Sequence, residues 1–338
     1  MYKKKDQKSR TVGNMLLGTI EFLNKKNLDS YDISPIAGDA SDRKYYRLKH
    51  GRYSLVLMDS SGTPETMSSF LSVREYLSDN KFSVPQVLHV DLNEGYMVLE
   101  DFGDNTLDKY LVQNPKDSEH IYSLAINLVA SMSTLEDPPF PEFDEHFFLY
   151  ELSKFTNWYM PFIGKPLEDE DLVEFNASWS QSLNYLSIYD KKKVFVHKDL
   201  HCGNLFWLPE KQGVRKLGVI DFQSAKSGSG VYDIISLLYD CRLPLPQDLR
   251  DSLLNKYLSS TGWDIRNAKN ICDIFIAQRN IKILGNFTHI YQQKGNAIYL
   301  RFLPNVWKFI EESLNNPILE DLKDWFIKNN VRPMERYP

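Results

Sequence analysis

Cysteine is scarce in this chain. The three present, Cys202, Cys241 and Cys272, are widely spaced and include no C-x-x-C pair. That argues against a disulfide framework and a four-cysteine zinc site, and it suits a reducing compartment. A basic surplus is missing as well: 40 Lys and Arg face 45 Asp and Glu, for a formal net charge of −5. Contacts to phosphate dominate nucleic-acid affinity, so no nucleic-acid partner is expected. No apolar run is long enough to span a bilayer. The lysine-rich start, Met1 to Arg10, is not followed by the apolar core of a signal peptide. The expectation is a soluble, cytoplasmic protein with no membrane partner. Internal repeats are lacking, and low complexity is confined to a polar tail over residues 1–11.

What is present is enough apolar material for a sizeable core: 42% hydrophobic and 13% aromatic residues in a chain of 338. That length suggests two domains or lobes, at roughly 100–200 residues each. Helical spacing shows first at Val12, Met15, Leu16, Ile20 and Leu23. The segment Ile36 to Leu48 reads as strand, tight small-residue turn and strand, and Tyr53 to Asp59 as a third strand after Gly51. Thr63-Pro64-Glu65 reads as a helix start, with a capping hydroxyl and a proline at the first helical position, leading to about Ser78. Val84 to Val90 and Tyr96 to Glu100 read as strands around Asn93-Glu94-Gly95. After Gly103 the pattern turns helical. The exception is a block with three short apolar runs, Val194–His197, Asn204–Trp207 and Leu217–Asp221, followed by a loop at Ser227–Gly230. The expected fold class is α+β, with a β-rich N-terminal lobe over residues 1–102 and a mostly helical lobe over residues 103–338.

The chemistry-bearing segment is His197-Lys-Asp199-Leu-His-Cys-Gly-Asn204, followed by Val219-Ile-Asp221-Phe222. Phosphoryl transfer from ATP needs a carboxylate to orient an acceptor hydroxyl and take its proton. It also needs oxygen ligands that hold Mg²⁺ against the phosphates. Asp199, Asn204 and Asp221 have the order, spacing and strand context of that set. Their bland alternative is a loop whose Asp and Asn cap turns. His197 and His201 with Cys202 suggest a zinc set only if the histidines lie on a helix. They flank a loop instead, and His197 is read as a structural residue bracing it.

These motifs resemble the aminoglycoside phosphotransferase and choline kinase superfamily, whose fold is protein-kinase-like. Within it the chain is most similar to the bacterial branch of anomeric N-acetylmuramate and N-acetylglucosamine kinases. Gly38-Asp-Ala-Ser41 with Arg43 and Tyr45-Tyr-Arg47, Leu57-Met-Asp59, the stretch Tyr232 to Cys241, and Gln278-Arg279-Asn-Ile-Lys282-Ile-Leu-Gly285 carry that similarity. The resemblance implies an ATP- and Mg²⁺-dependent sugar kinase of cell-wall recycling. Asp199 would be the base, and Asn204 and Asp221 the magnesium ligands. Asp233 would brace the catalytic loop. Gly38, Asp39, Ala40 and Ser41 would form the turn over the phosphates, and Glu100 to Phe102 would supply backbone groups for adenine.

The chain departs from the pattern in places. Ser54 to Met58 lacks the lysine that many kinases use to grip the phosphates, and Arg43 or Lys44 is read as its replacement. Glu75 is only a candidate for the matching helix glutamate. Ser224 stands where an acid is common, and Cys202 where proline is common. For the acceptor, Trp158 and Tyr159 offer flat faces, with core packing as the alternative. Asp240 and Arg242 follow the Asp233 segment. Arg279 and Lys282, at i,i+3, share one helix face and could meet a carboxylate or the phosphates. Two other readings stand beside the sugar kinase: a phosphotransferase acting on an aminoglycoside or a choline-type amino alcohol, and a pseudokinase that only binds nucleotide.

Overall fold

The computed structural model describes residues 17–36 and 43–334, so the Gly38–Ser41 turn lies outside the described residues. The chain divides into two compact units. One runs up to Tyr110 and takes back Gly203–Ser224; the other holds Leu111–Cys202 and continues from Ala225.

The first unit is built on an antiparallel sheet of β1 (Asp32–Ile36), β2 (Lys44–His50), β3 (Tyr53–Asp59), β4 (Val87–Asp91) and β5 (Tyr96–Glu100). Their order is β1-β2-β3-β5-β4. Tyr96 to Leu99 of β5 are all buried, as expected of an inner strand without polar alternation. The helix Leu17–Lys25 lays Phe22 and Leu23 against Tyr46, Leu48, Leu57 and Val98. Full burial of such side chains contributes about 1.5–3 kcal/mol each. A hairpin of Leu205–Trp207 and Leu217–Val219 completes the unit, with Leu205 opposite Val219. It is docked by the Val219 N–H donating to the Ser83 carbonyl at 2.7 Å and the Trp207 N–H to the Asn105 carbonyl at 2.9 Å.

Two local readings need correction. The helix after β3 is Thr66–Asp79, with Glu65 at its N-cap and no side-chain cap. Thr63 and Pro64 belong to a preceding turn, whose carbonyls accept the N–H groups of Thr66 (3.1 Å) and Met67 (3.0 Å). Those donors are satisfied by backbone, so the Thr63 hydroxyl has no capping work. Ser227 to Gly230, read as loop, fall largely within a strand, Lys226–Ser229, antiparallel to Lys193–Val196. Gly and Ser are poor strand formers, but packing overrides propensity here. A Cβ at Gly228 would come within 3.0 Å of the Phe143 Cβ, so only a small residue lets Phe143 seat on this ribbon.

The second unit is organised around one long helix, Ile265–Lys294. The Asp264 side chain caps it by accepting from the Arg266 N–H, and Gly295 ends it in the left-handed region at φ +64°. Nearly every residue from Ile274 to Gly285 is buried, so this is a core helix rather than an amphipathic one. The helix Glu145–Lys154, its π-helical continuation Phe155–Tyr159 and the helix Leu303–Ser313 pack against it. A Cβ at Gly285 would lie 2.1 Å from the Lys154 carbonyl carbon and oxygen, so a glycine is required at that crossing. Among the described residues no helix is long and apolar enough to cross a membrane.

Candidate active site

The segment His197–Asn204 crosses from one unit to the other between Cys202 and Gly203. Its first half belongs to the helical unit. The ribbon strand ends at Val196, and the next two N–H groups point at one carboxylate. Asp233, near the start of the helix Tyr232–Leu238, accepts from the N–H of His197 at 2.6 Å and of Lys198 at 3.0 Å. Asp233 is 3% exposed, and burial raises its carboxyl. His197, wholly buried, accepts the Asp199 N–H on Nδ1 at 3.3 Å. Lys198 is thereby held at φ +79°, a backbone region that non-glycine residues seldom enter, of the kind found at functional sites. The product of these restraints is a fixed, outward-facing Asp199 whose side chain keeps 55% of its surface open.

Around Asp199 the helical unit gathers positive charge. Burial pushes the Asp199 carboxyl up, but His201, Arg279, Lys282 and Arg242 outweigh it and hold it at about 2. His201 Nε2 stands 3.8 Å from the carboxylate. Burial, with Arg242, drives the imidazole down to about 4, so His201 is neutral at pH 7. At that pH the charges acting on Asp199 are therefore Arg279, Lys282 and Arg242. Asp199 is a carboxylate with no competing proton.

These cations are not equivalent. Arg242 donates to the Asp240 carboxylate from Nε at 2.8 Å, and Asp240 is 3% exposed. Lys282 is bound to Glu151 at 2.9 Å and donates to the Tyr232 hydroxyl at 3.2 Å. Glu151 also receives Lys198 at 3.6 Å. Burial alone would raise the Glu151 carboxyl, yet Lys282 and Lys198 hold it below its ordinary value. Glu151 had no place among the sequence candidates. It is one acid in an acidic stretch, and only the packing of its helix on the long helix pairs it with Lys282. Lys198 occupies a position of the His197–Asn204 segment for which the motif specifies no residue type.

The second half of the segment belongs to the sheet-bearing unit. There the Ile220 N–H donates to the Asn204 carbonyl at 3.1 Å, extending the hairpin by one bond. That brings the Asn204 amide to 3.4 Å from the Asp221 carboxylate. Asp221 sits at φ +62° and also accepts from Gln223 Nε2 at 2.8 Å. Beneath it, Phe222 is fully buried against Phe70, ring centroids 4.9 Å apart. The contact is made by the Asn204 Nδ2 donating to Asp221, and the carboxylate and the side-chain amide, whose oxygen is also a hard donor, are side by side on a rigid hairpin. They suit a magnesium ion that takes its other ligands from phosphates and water.

In the same unit Arg43 is 9% exposed and donates to the Thr66 carbonyl at 3.3 Å, whereas Lys44 is exposed. Burial raises the Tyr45 hydroxyl, Arg43 lowers it and Asp221 raises it, so both charges act on that ring. Glu100 ends β5, where its carboxylate accepts the Gln86 N–H at 3.1 Å. Phe102 packs on the hairpin, 5.8 Å from Phe206, and fills the space a Cβ at Gly218 would need. Glu75 makes no hydrogen bond or ion pair among the described residues.

The two aromatic candidates separate. Tyr159 is wholly buried and accepts from Trp307 Nε1 at 2.9 Å, so it is a core residue with no face for an acceptor. Trp158 is half-buried and packs at a tilt against His289, ring centroids 4.1 Å apart. No contact among the described residues joins that pair to the Asp199 cluster.

Solved structures of similar fold include an aminoglycoside phosphotransferase and a choline kinase. An ADP-bound aminoglycoside phosphotransferase matches with a TM-score of 0.60 at 13% identity, over 88% of this chain and 99% of that one. A choline kinase of Streptococcus pneumoniae gives 0.63, also at 13% identity, over 87% and 99%. The fold is thus the protein-kinase-like one. Residues 32–268 match the model of the phosphotransferase enzyme family, and the chain belongs to that family as an ATP-dependent phosphotransferase. Among its relatives are an N-acetylmuramate/N-acetylglucosamine kinase of Pseudomonas aeruginosa, 30% identical over 86% of both chains. Another of the same name, from Caulobacter vibrioides, is 26% identical over 90% of this chain and 94% of the relative.

Proposed function

We propose that this enzyme phosphorylates the anomeric hydroxyl of an N-acetylated amino sugar. The observation that carries this reading is Asp199, an ionised carboxylate open to solvent on a loop braced by Asp233 and faced by cations. Asp199 orients the acceptor hydroxyl. As the acceptor oxygen bonds to the γ-phosphorus, the bridging P–O bond to ADP breaks and the hydroxyl proton passes to Asp199. A carboxylate held near 2 is a weak base. An anomeric hydroxyl, more acidic than an ordinary alcohol, suits it better than an amino alcohol's. Asn204 and Asp221 would hold a magnesium ion on the nucleotide, which would supply charge neutralisation at the phosphates. Arg43, buried beside Tyr45, stands in for the missing strand lysine, and Glu100 to Phe102 serve adenine.

The acceptor class is supported by the names of the relatives and by the field around Asp199. Arg242, Arg279 and Lys282 all act on that carboxylate. With Arg242 paired to Asp240 and Lys282 to Glu151, Arg279 is the cation left to favour a neutral or anionic sugar over a cationic aminoglycoside or choline. ATP turnover with a panel of amino sugars, aminoglycosides and choline tests this reading. N-acetylated amino sugars should be phosphorylated, and Asp199→Ala should lower kcat by about 10²–10⁴-fold, the usual contribution of a positioned base. Turnover restricted to cationic acceptors, or a loss below about tenfold, would defeat it.

A further inference from the structure

Of Arg242, Arg279 and Lys282, the cations acting on Asp199, Arg279 alone makes no direct ion pair among the described residues. It is 3% exposed, and its Nη1 is buried with no hydrogen-bond partner. Among the described residues it makes no ion pair. The neighbouring cations are already committed: Arg242 to Asp240, and Lys282 and Lys198 to the single carboxylate of Glu151. Glu151 is shared between two lysines, and although Asp199 and Asp233 also feel the Arg279 charge, Arg279 makes no hydrogen bond or ion pair with either among the described residues. A buried guanidinium without a partner is costly, because desolvation is not repaid. Such a group is retained where a ligand supplies the missing anion. Its planar fork of N–H donors matches a carboxylate in particular.

We propose that Arg279 is an anion subsite for the acceptor, binding a carboxylate carried by the sugar, and that it sets the preference for an acidic amino sugar over a neutral one. This rests on the amino-sugar reading above and assigns its specificity to one residue. Lys282, on the same helix face, is excluded from the role because it is ion-paired with Glu151 and donates a hydrogen bond to the Tyr232 hydroxyl. Arg279 is placed to act on Asp199 too, so a loss of rate alone would not separate the roles. A carboxylate subsite is distinguished by coupling between the Arg279 charge and the ligand charge.

The test is a cycle of four kcat/KM values: wild type and Arg279→Gln, each with N-acetylmuramate and with its methyl ester. Wild type should favour the free acid, and Arg279→Gln should erase roughly 10- to 100-fold of that preference, the worth of a charge-assisted hydrogen bond. Arg279→Lys should restore part of it. Equal losses on acid and ester would overturn the proposal and leave Arg279 as a positioning residue for Asp199 or the phosphates. Should Arg279→Gln fail to fold, the wild-type pair alone decides, since no preference for acid over ester overturns the subsite. If wild type phosphorylates neither sugar, the amino-sugar reading falls by itself, and D-lactate then serves as the probe. Thermal stabilisation of wild type by D-lactate, absent in Arg279→Gln, would uphold the anion site. Equal or absent stabilisation in both would overturn it.

Discussion

Glu151 and Lys282 form a 2.9 Å ion pair in which both side chains are about nine-tenths buried. Removing one partner from such a pair leaves an uncompensated buried charge, which costs about 3–5 kcal/mol. Glu151→Ala is therefore expected to lower stability by about that much in urea unfolding. Glu151→Leu combined with Lys282→Met, which removes both charges of this pair and leaves only the longer Lys198 contact unmatched, should regain part of the loss. A double variant no more stable than the single one would show that the pair does not act as a unit.

Arg43 and Lys44 were indistinguishable in sequence, but they differ in place. Arg43 is buried behind β2 and shares Tyr45 with Asp221, while Lys44 opens the strand in solvent. Arg43→Ala should raise the ATP KM strongly, and Lys44→Ala should leave it nearly unchanged. Steady-state kinetics with varied ATP checks this. The reverse pattern, or two silent variants, would remove Arg43 from the nucleotide site.

His201 and Asp190 give opposite pH signatures. Burial holds the His201 imidazole at about 4, whereas in the unfolded chain it titrates near 6.5. Between those values the unfolded chain binds a proton that the native chain does not, so stability falls as pH falls. Burial lifts the Asp190 carboxyl from 3.8 to about 6. There the native chain holds the extra proton, and stability rises as pH falls through that window. Relative to wild type, His201→Asn should lose less stability between about pH 6.5 and 4, and Asp190→Asn should lose more. Unfolding midpoints over this range with an unaltered slope in either variant would contradict the assignment of that group.

Much of the sheet could be read directly. Tyr53–Asp59 and Tyr96–Glu100 have the bounds expected of them, because Gly51 and Asn93-Glu94-Gly95 mark their starts and both are dense in apolar residues. The spacing of Arg279 and Lys282 likewise placed them on one helix face, as they are. What escaped depends on partners far along the chain. The strand Lys226–Ser229 exists only because Lys193–Val196 and Phe143 accept it. Glu151 matters only because Lys198 and Lys282 converge on it. Tyr159 and Trp158, adjacent in sequence, face opposite environments because the helix bearing them closes onto the core at Tyr159. No local pattern contains these pairings.

The most direct test of the central claim is phosphorus NMR of the product formed from ATP and N-acetylglucosamine or N-acetylmuramate. If Asp199 serves an anomeric hydroxyl, the new phosphomonoester resonance should couple to the anomeric proton, and it should be missing with Asp199→Ala. A resonance coupled to the protons of the primary alcohol carbon would contradict that claim. So would a reaction that transfers phosphate to aminoglycosides or choline but to neither sugar.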